Sequence, residues 1–272
     1  MLLYGGIIIS KINNMKNSIN NEVKKYWENS PCGSETPIYG NIEEYTYDWF
    51  EIMENYRYSI EPFIHSIAQF SRHKGKRVLE IGVGAGTDHL QWARSGVDLH
   101  GVDLTELGIE ITRNRLKIYG FESNLLRADA ENLPYEDNFF DIVYSWGVIH
   151  HSETPDLIIN EIRRVLKPNG EFIGMLYNRR SLAGIVAWLK FALLKGKPWR
   201  SLKYVFYHFN ESIGTKVYTN KEIYKLFQNF KSVRIFPFIT ISDYIYLPKV
   251  LKNILPNSLG YYSAIKAINN KK

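Results

Sequence analysis

"GKRVLEIGVGAGTDHLQWARSG", Gly75 to Gly96, decides how this chain is read. Val78 to Ile81 is a short apolar run of strand-forming residues, and Gly82, Gly84 and Gly86 follow it directly. "TDHLQWAR" then spaces its apolar residues along one face of a helix. Strand, glycine loop and helix in that order form a ligand-binding unit, because glycine lets the backbone turn sharply and approach a bound molecule. The dinucleotide fingerprint is G-x-G-x-x-G, whereas this loop is G-x-G-x-G, with Thr87 where the last glycine would fall. The mismatch disfavours a pyrophosphate and points to a smaller, zwitterionic group. Glu80, next to the loop, suits a positively charged amine better than a phosphate.

Outward from this stretch the alternation continues. "VDLHGVDL" is a second strand, and "TELGIEITRNRLKIYG" a second helix closed by Gly120. "NLLRAD" and "FFDIVYSW" are the third and fourth strands. The helix "TPDLIINEIRRVL", the turn "KPNG" and the strand "EFIGMLYN" come next. Strands alternating with helices predict an α/β fold, a parallel sheet with helices on both faces. Asp103 ends strand two, 17 residues after Gly86, where a carboxylate can accept both hydroxyls of a ribose. Asp129 and Ala130 end strand three, where a carboxylate can take the exocyclic amine of adenine and a backbone amide can meet a ring nitrogen. Each position also has a structural explanation: Gly82 and Gly86 as packing glycines, Asp103 as a cap for the helix after it. Their order on successive strand ends favours the binding role.

These motifs resemble the class I S-adenosylmethionine-dependent methyltransferases, nearest to the broad group containing the ubiquinone- and menaquinone-type enzymes. The likeness is carried by "VLEIGVGAGTD", "GVDLTE", "ADAENLPYEDNFFDIVYSWGVIHH" and "EIRRVLKPNGEFIGMLYN", from roughly Lys76 to Asn178. It implies a Rossmann-like, doubly wound sheet of seven strands, the last antiparallel, into which "SVRIFPFI" and "GYYSAIKAI" fit as late strands. It also implies S-adenosylmethionine as cofactor, with S-adenosylhomocysteine as product. The implied cofactor contacts are Glu80, Gly82, Gly84, Gly86, Asp103, Leu104, Asp129, Ala130, Glu131, Ser145 and Trp146.

"VYSWGVIHHSETP", Val143 to Pro155, sits at the cofactor–substrate junction of the resembled fold. Adjacent histidines usually point in different directions, and no further ligand pattern or cysteine joins them, so no metal is expected. His151 is the candidate general base, since an unperturbed imidazole titrates at about 6.5. His150 is expected to hold the loop by bonding a backbone carbonyl, although it shares the candidacy. Tyr177, ending strand five, and Arg57, in the preceding helices, compete as polar groups at the same rim. Arg57 suits a carboxylate or phosphate of the substrate or the methionine carboxylate, unless it makes an ordinary salt bridge. Tyr26 and Trp27 are candidate lid residues, and Glu211 and Lys216 candidate pocket residues.

The remaining bounds come from composition. At 272 residues, 45% hydrophobic and 23% charged, the chain can bury a sizeable core. Its net charge of +6 permits acidic partners, but the lysines are scattered rather than striped. The single cysteine, Cys32, excludes an intramolecular disulfide and a thiolate metal cluster. "MLLYGGIIISK" is shorter than the about 20 residues that span a bilayer and lacks a leader's basic region and cleavage site, which predicts a cytoplasmic protein. The expected organisation is a flexible 1–20, a helical cap over 21–75 and a cofactor-binding core over 76–180. A helical insertion over 181–232 and two closing strands over 233–272 complete it. "LAGIVAWLKFALL" is apolar around most of its circumference and is followed by the basic "KGKPWR". It is buried, dimer-forming or resting on a membrane through 182–200, so an oligomer is open, and so is a lid over a small pocket. The expected activity is methyl transfer to oxygen, nitrogen or carbon of a small metabolite. The alternatives are a lipid or prenylated substrate at a membrane surface, RNA, or a non-catalytic protein that binds the cofactor. RNA is disfavoured because "SWGV" stands where base-amino methyltransferases carry an Asp/Asn-Pro-Pro-aromatic loop, so no nucleic-acid partner is expected.

Overall fold

The computed structural model describes residues 19–29, 31, 34, 42–244 and 254–271. The expectations for most of the first twenty residues and for Cys32 fall outside them. Residues 19–29 form a helix, α1. It is followed by α2 (Tyr47–Ile60), α3 (Phe63–Ala68), β1 (Arg77–Ile81), α4 (Thr87–Arg94), β2 (Asp98–Asp103), α5 (Glu106–Tyr119) and β3 (Asn124–Arg127). Then come β4 (Phe140–Trp146), α6 (Pro155–Val165), β5 (Leu166–Tyr177), α7 (Leu182–Phe191), α8 (Leu202–Phe209), α9 (Asn220–Leu226), β6 (Phe230–Phe238), α10 (Ile241–Tyr244) and β7 (Tyr262–Asn269).

The seven strands form one sheet in the order β3-β2-β1-β4-β5-β7-β6. β1 lies parallel to β2 and β4, so the chain reverses its direction of travel across the sheet between them. At such a switch point the loops after neighbouring strands diverge and leave a crevice beyond their carboxyl ends. β7 runs antiparallel to both β5 and β6, threading between them. β5 starts earlier than the sequence suggests. "KPNG", read as a turn, continues the strand, with Asn169 at φ 62° and a register shift opposite Phe140 and Ile142.

Both sheet faces are covered, as continuous apolar strands require. On one face Val78, Ile142, Tyr144 and Ile173 meet Ile64 and Ile67 of α3, Leu90 and Trp92 of α4, and Phe206 of α8. On the other, Leu79, Ile81, Val143 and Phe172 meet Ile158, Ile159 and Ile162 of α6 and Ile223 of α9. A third cluster joins Trp49, Phe50 and Met53 of α2 to Ala85 of the glycine loop and Ile111 of α5. The cap is thus seated directly on the loop that the sequence singled out. α9 starts with a capping box, Thr219 and Glu222 each bonding the other's backbone amide.

Candidate active site

A cavity opens at the carboxyl ends of β1, β2, β3 and β4. The glycine loop, Asp103–Thr105, Ala128–Glu131, Trp146–Val148, His151 and Ser152 line it, and Asn20, Val23 and Trp27 of α1 close it. Gly82 has φ 78°, and a Cβ built on it would lie 2.2 Å from Val148 Cγ2. Only glycine fits there, and its bareness leaves backbone facing the cavity. Gly84 donates its amide to Asp103 Oδ2 at 3.0 Å. Gly86 does not line the cavity: an added Cβ would meet Thr112, so it serves the packing of α4 on α5. Thr87, in place of the fingerprint's last glycine, opens α4 and accepts from the buried Arg115 at 2.7 Å.

Asp103 is held by three donors. Besides Gly84, the amide and hydroxyl of Thr105 reach its Oδ1 at 2.9 and 2.7 Å. Thr105, not Asp103, caps α5. A carboxylate has about four acceptor positions, so roughly one remains for a ribose hydroxyl, where two contacts were expected. Leu104 lines the cavity beside it, and Asp129 and Ala130 line it at the end of β3. Asp129 Oδ1 accepts the Glu131 amide at 2.9 Å. Glu131 in turn accepts from Ser152 Oγ at 2.6 Å, the Thr154 amide and Asn20 Nδ2. Burial works to raise Glu131, but these donors outweigh it, and its pKa is lowered.

Glu80 is buried at the cavity floor, its Oε2 2.9 Å from His89 Nδ1. His89 Nε2 meets Ser123 Oγ at 2.9 Å, and that hydroxyl spends its own proton on Leu99 O. His89 therefore carries hydrogen on Nε2. Burial, with His100 nearby, pushes its pKa down to about 3, so Nδ1 is left as an acceptor. Burial, then Asp88, raises Glu80 well above the ordinary carboxylate value against the pull of Arg57. The pair thus shares one proton, held on Glu80.

Asp88 collects four bonds. Arg57 donates to both its oxygens at 3.1 and 2.9 Å, Tyr58 Oη donates at 2.9 Å, and Tyr144 Oη at 2.7 Å. Burial opposes ionisation of Asp88, but Arg57 and the two hydroxyls outweigh it, and its pKa is lowered. Arg57 thus makes a salt bridge, and with Asp88 lines the cavity. Trp146 lines the cavity too, its Nε1 donating to the buried Glu61 at 3.2 Å. Ser145 is turned away, buried and bonded to Ile81 O at 3.2 Å, and ties β4 to β1.

The two histidines separate. His150 is fully buried outside the cavity lining, with neither ring nitrogen hydrogen-bonded among the described residues. The carbonyl bond expected of it is replaced by ring packing on Tyr177, centroids 3.8 Å apart. Burial, then His151 and Lys216, hold its pKa well below the ordinary value. His151 lines the cavity, with Trp27 edge-on at 5.1 Å. Its Nδ1 meets Ser212 Oγ at 3.0 Å and Thr215 Oγ1 at 3.1 Å, and its Nε2 lies 3.3 Å from Glu211 Oε2. Tyr177 is buried behind the cavity and donates to both Glu211 oxygens at 3.0 Å. Lys216 bonds the carbonyls of Ser152 and Gly214. Tyr26 is exposed and packs edge-on against Trp27, which alone of the two reaches the cavity.

Against known proteins, a family described as "Methyltransferase domain" matches residues 79–174. The fatty-acid O-methyltransferase of Mycolicibacterium smegmatis is 38% identical over 119 residues, 43% of this chain and 42% of that protein. The ubiquinone/menaquinone biosynthesis C-methyltransferase of Paraburkholderia phytofirmans is 32% identical over 117 residues, 42% of this chain and 48% of that protein. The chain thus spans less than half the length of these curated relatives. Among solved structures, the magnesium protoporphyrin IX methyltransferase of Synechocystis shares the fold. Its TM-score is 0.56 at 14% identity, over 92% of this chain and 97% of that one. Residues 79–174 thus match a methyltransferase domain, and the sheet has the fold of a solved methyltransferase.

Proposed function

We propose that this protein binds S-adenosylmethionine in the cavity and transfers its methyl group to a small-molecule or lipid acceptor. The observation that carries the reading is the charge of the wall. Asp88, Asp103, Asp129 and Glu131 line the cavity against one guanidinium among the described residues, that of Arg57, and Glu80 adds a carboxyl that can ionise beside a bound cation. Such a wall repels a pyrophosphate and matches a ligand whose sulfonium and ammonium outnumber its one carboxylate. Glu80 is suited to the ammonium and Arg57 to the carboxylate. Asp103 suits a ribose hydroxyl, and Asp129 with Ala130 the adenine edge. Gly82 and Gly84 let the backbone approach. When bound, the cofactor supplies an electrophilic methyl carbon whose transfer leaves a neutral thioether, so the protein needs no acid.

What remains for the protein is to align the acceptor, exclude water and, where the acceptor is protonated, take its proton. His151 is the candidate for that proton, with Glu211 to balance the imidazolium charge. The names of the two relatives, a fatty-acid and a quinone-pathway enzyme, support a lipophilic acceptor. The experiment is calorimetric titration with S-adenosylhomocysteine and, separately, a nicotinamide dinucleotide. Micromolar binding of the former is expected. Asp103→Ala should weaken it at least about tenfold, since a hydrogen bond to a charged group is worth roughly 1.5–3 kcal/mol. No binding, an unchanged affinity in the variant, or preference for the dinucleotide would overturn the reading.

A further inference from the structure

We infer that the α7–α8 hairpin is a docking surface for an anionic lipid bilayer. The inner side of the hairpin is spoken for: Ala183, Ala187, Leu202 and Phe206 pack on the sheet core. Its outer side is apolar and exposed. Ile185, Leu189 and Leu193 recur every fourth residue and so share one face, each between 39% and 50% exposed. At the tip Leu194 is 79% and Trp199 76% exposed. Trp188 Nε1 and Arg200 Nη1 bond the backbone of the facing limb, at 2.7 and 3.0 Å, so the tip is built. Phe191 stacks on Phe209 at 5.0 Å and fixes the limbs together.

Charge identifies the occupant. From Phe172 to Asn210 the chain has no acidic residue, while the hairpin carries Lys190, Lys195, Lys197, Arg200 and Lys203. Lys203 is paired with Glu222. Lys190, Lys195 and Lys197 make no ion pair among the described residues. A protein partner of ordinary surface would leave these lysines unmatched, and a nucleic acid would leave the leucines and Trp199 in water. Anionic headgroups over acyl chains satisfy both, with tryptophan at the interface where its ring is favoured. No described helix is long and apolar enough to cross a membrane, so the hairpin lies on the surface. α8 runs directly into Glu211, which lies beside His151, so docking brings the cavity's flank close to the lipid. This deepens the lipid-acceptor reading without depending on the chemistry.

The test is co-sedimentation of the full chain with phosphatidylcholine vesicles, with and without phosphatidylglycerol, in the absence of cofactor and acceptor. Binding is expected only to the anionic vesicles and should fall with added salt. Lys190→Glu with Lys195→Glu and Lys197→Glu should weaken it by about a hundredfold or more, at roughly fivefold per basic residue. Leu194→Glu with Trp199→Glu should abolish it. Brominated acyl chains should quench the wild-type tryptophan emission, a readout that needs no variant. Absence of binding, equal binding to neutral vesicles or no quenching would overturn the proposal. So would a wild-type dimer in sedimentation velocity that the Leu194/Trp199 variant separates, which would give the face to a second copy. Because no methyl transfer is measured, either failure leaves the cofactor reading standing, to be judged by its own titration.

Discussion

Neighbouring histidines of one helical turn have opposite environments here, and that decides which can handle a proton. His150 is enclosed and kept neutral by burial, so protonating it would cost more than any gain in catalysis. His151 meets hydroxyls on one nitrogen and a carboxylate on the other. Thr215 spends its own proton on Ser212 O at 2.7 Å, so it can only accept from Nδ1. Glu211 is held at φ 28°, a region that non-glycine residues avoid, which fits a carboxylate fixed for a purpose. His151→Ala should lower kcat by about 10²–10⁴ with cofactor affinity unchanged, as loss of a general base does. Glu211→Gln should retain cofactor binding and lower kcat less than His151→Ala does. An unchanged kcat would reduce Glu211 to a loop support. Glu80 gives a prediction at the binding step. Its proton is held in the free protein because its pKa is raised, and a bound ammonium favours the ionised form. Cofactor binding should therefore release a proton, and affinity should rise as pH rises toward Glu80's elevated value. Binding enthalpies that do not depend on the buffer's ionisation enthalpy would exclude this.

Elements make plain what the sequence could and could not reveal. β1, its glycine loop and α4 are legible because their signals are local: strand residues, glycines at fixed spacing, a 3.6-residue period. The place of Asp103, Asp129 and Ala130 in the cavity wall is legible because ligand crevices lie beyond the carboxyl ends of parallel strands. Asp88 is not, although it lies in the same quoted stretch. Its partners Arg57, Tyr58 and Tyr144 are 31, 30 and 56 residues away, and no local pattern encodes such a meeting. The pairing of Glu80 with His89 and the turning away of Ser145 likewise need the assembled sheet. The Asp88 hub ties α2 to α4 and β4. Asp88→Ala leaves the Arg57 guanidinium, only 19% exposed, without its main counter-charge. A loss of about 3 kcal/mol is expected, the scale of breaking a buried ion pair, measured by urea unfolding. A change below about 0.5 kcal/mol, ordinary for a surface substitution, would mean that water replaces the carboxylate without cost.

At the scale of the whole molecule, the two late strands could be read from β-forming residues, but the place of β7 between β5 and β6 could not. The apolar wheel of α7 likewise could not say that Ile185 and Leu189 face outward. The sequence reads α1 as part of the helical cap, with Tyr26 and Trp27 as candidate lid residues, but does not show where its other side chains attach. This helix is fastened over the cavity at the loops after three strands. Glu28 accepts the amides of Leu107 and Glu106 at 3.0 and 3.3 Å, after β2. Asn20 reaches Glu131, after β3, and Trp27 packs on His151, after β4. Most of these ties are polar, and Trp27 belongs to none of the hydrophobic clusters of the described residues. An element held this way opens at low cost compared with global unfolding, as a lid must. Trp27→Ala should then speed dissociation of S-adenosylhomocysteine by about tenfold, the scale of one buried aromatic contact, while the melting temperature moves little. Stopped-flow measurement of release decides it. Unchanged release would show that α1 does not gate the cavity, and a large fall in melting temperature would make Trp27 part of the core.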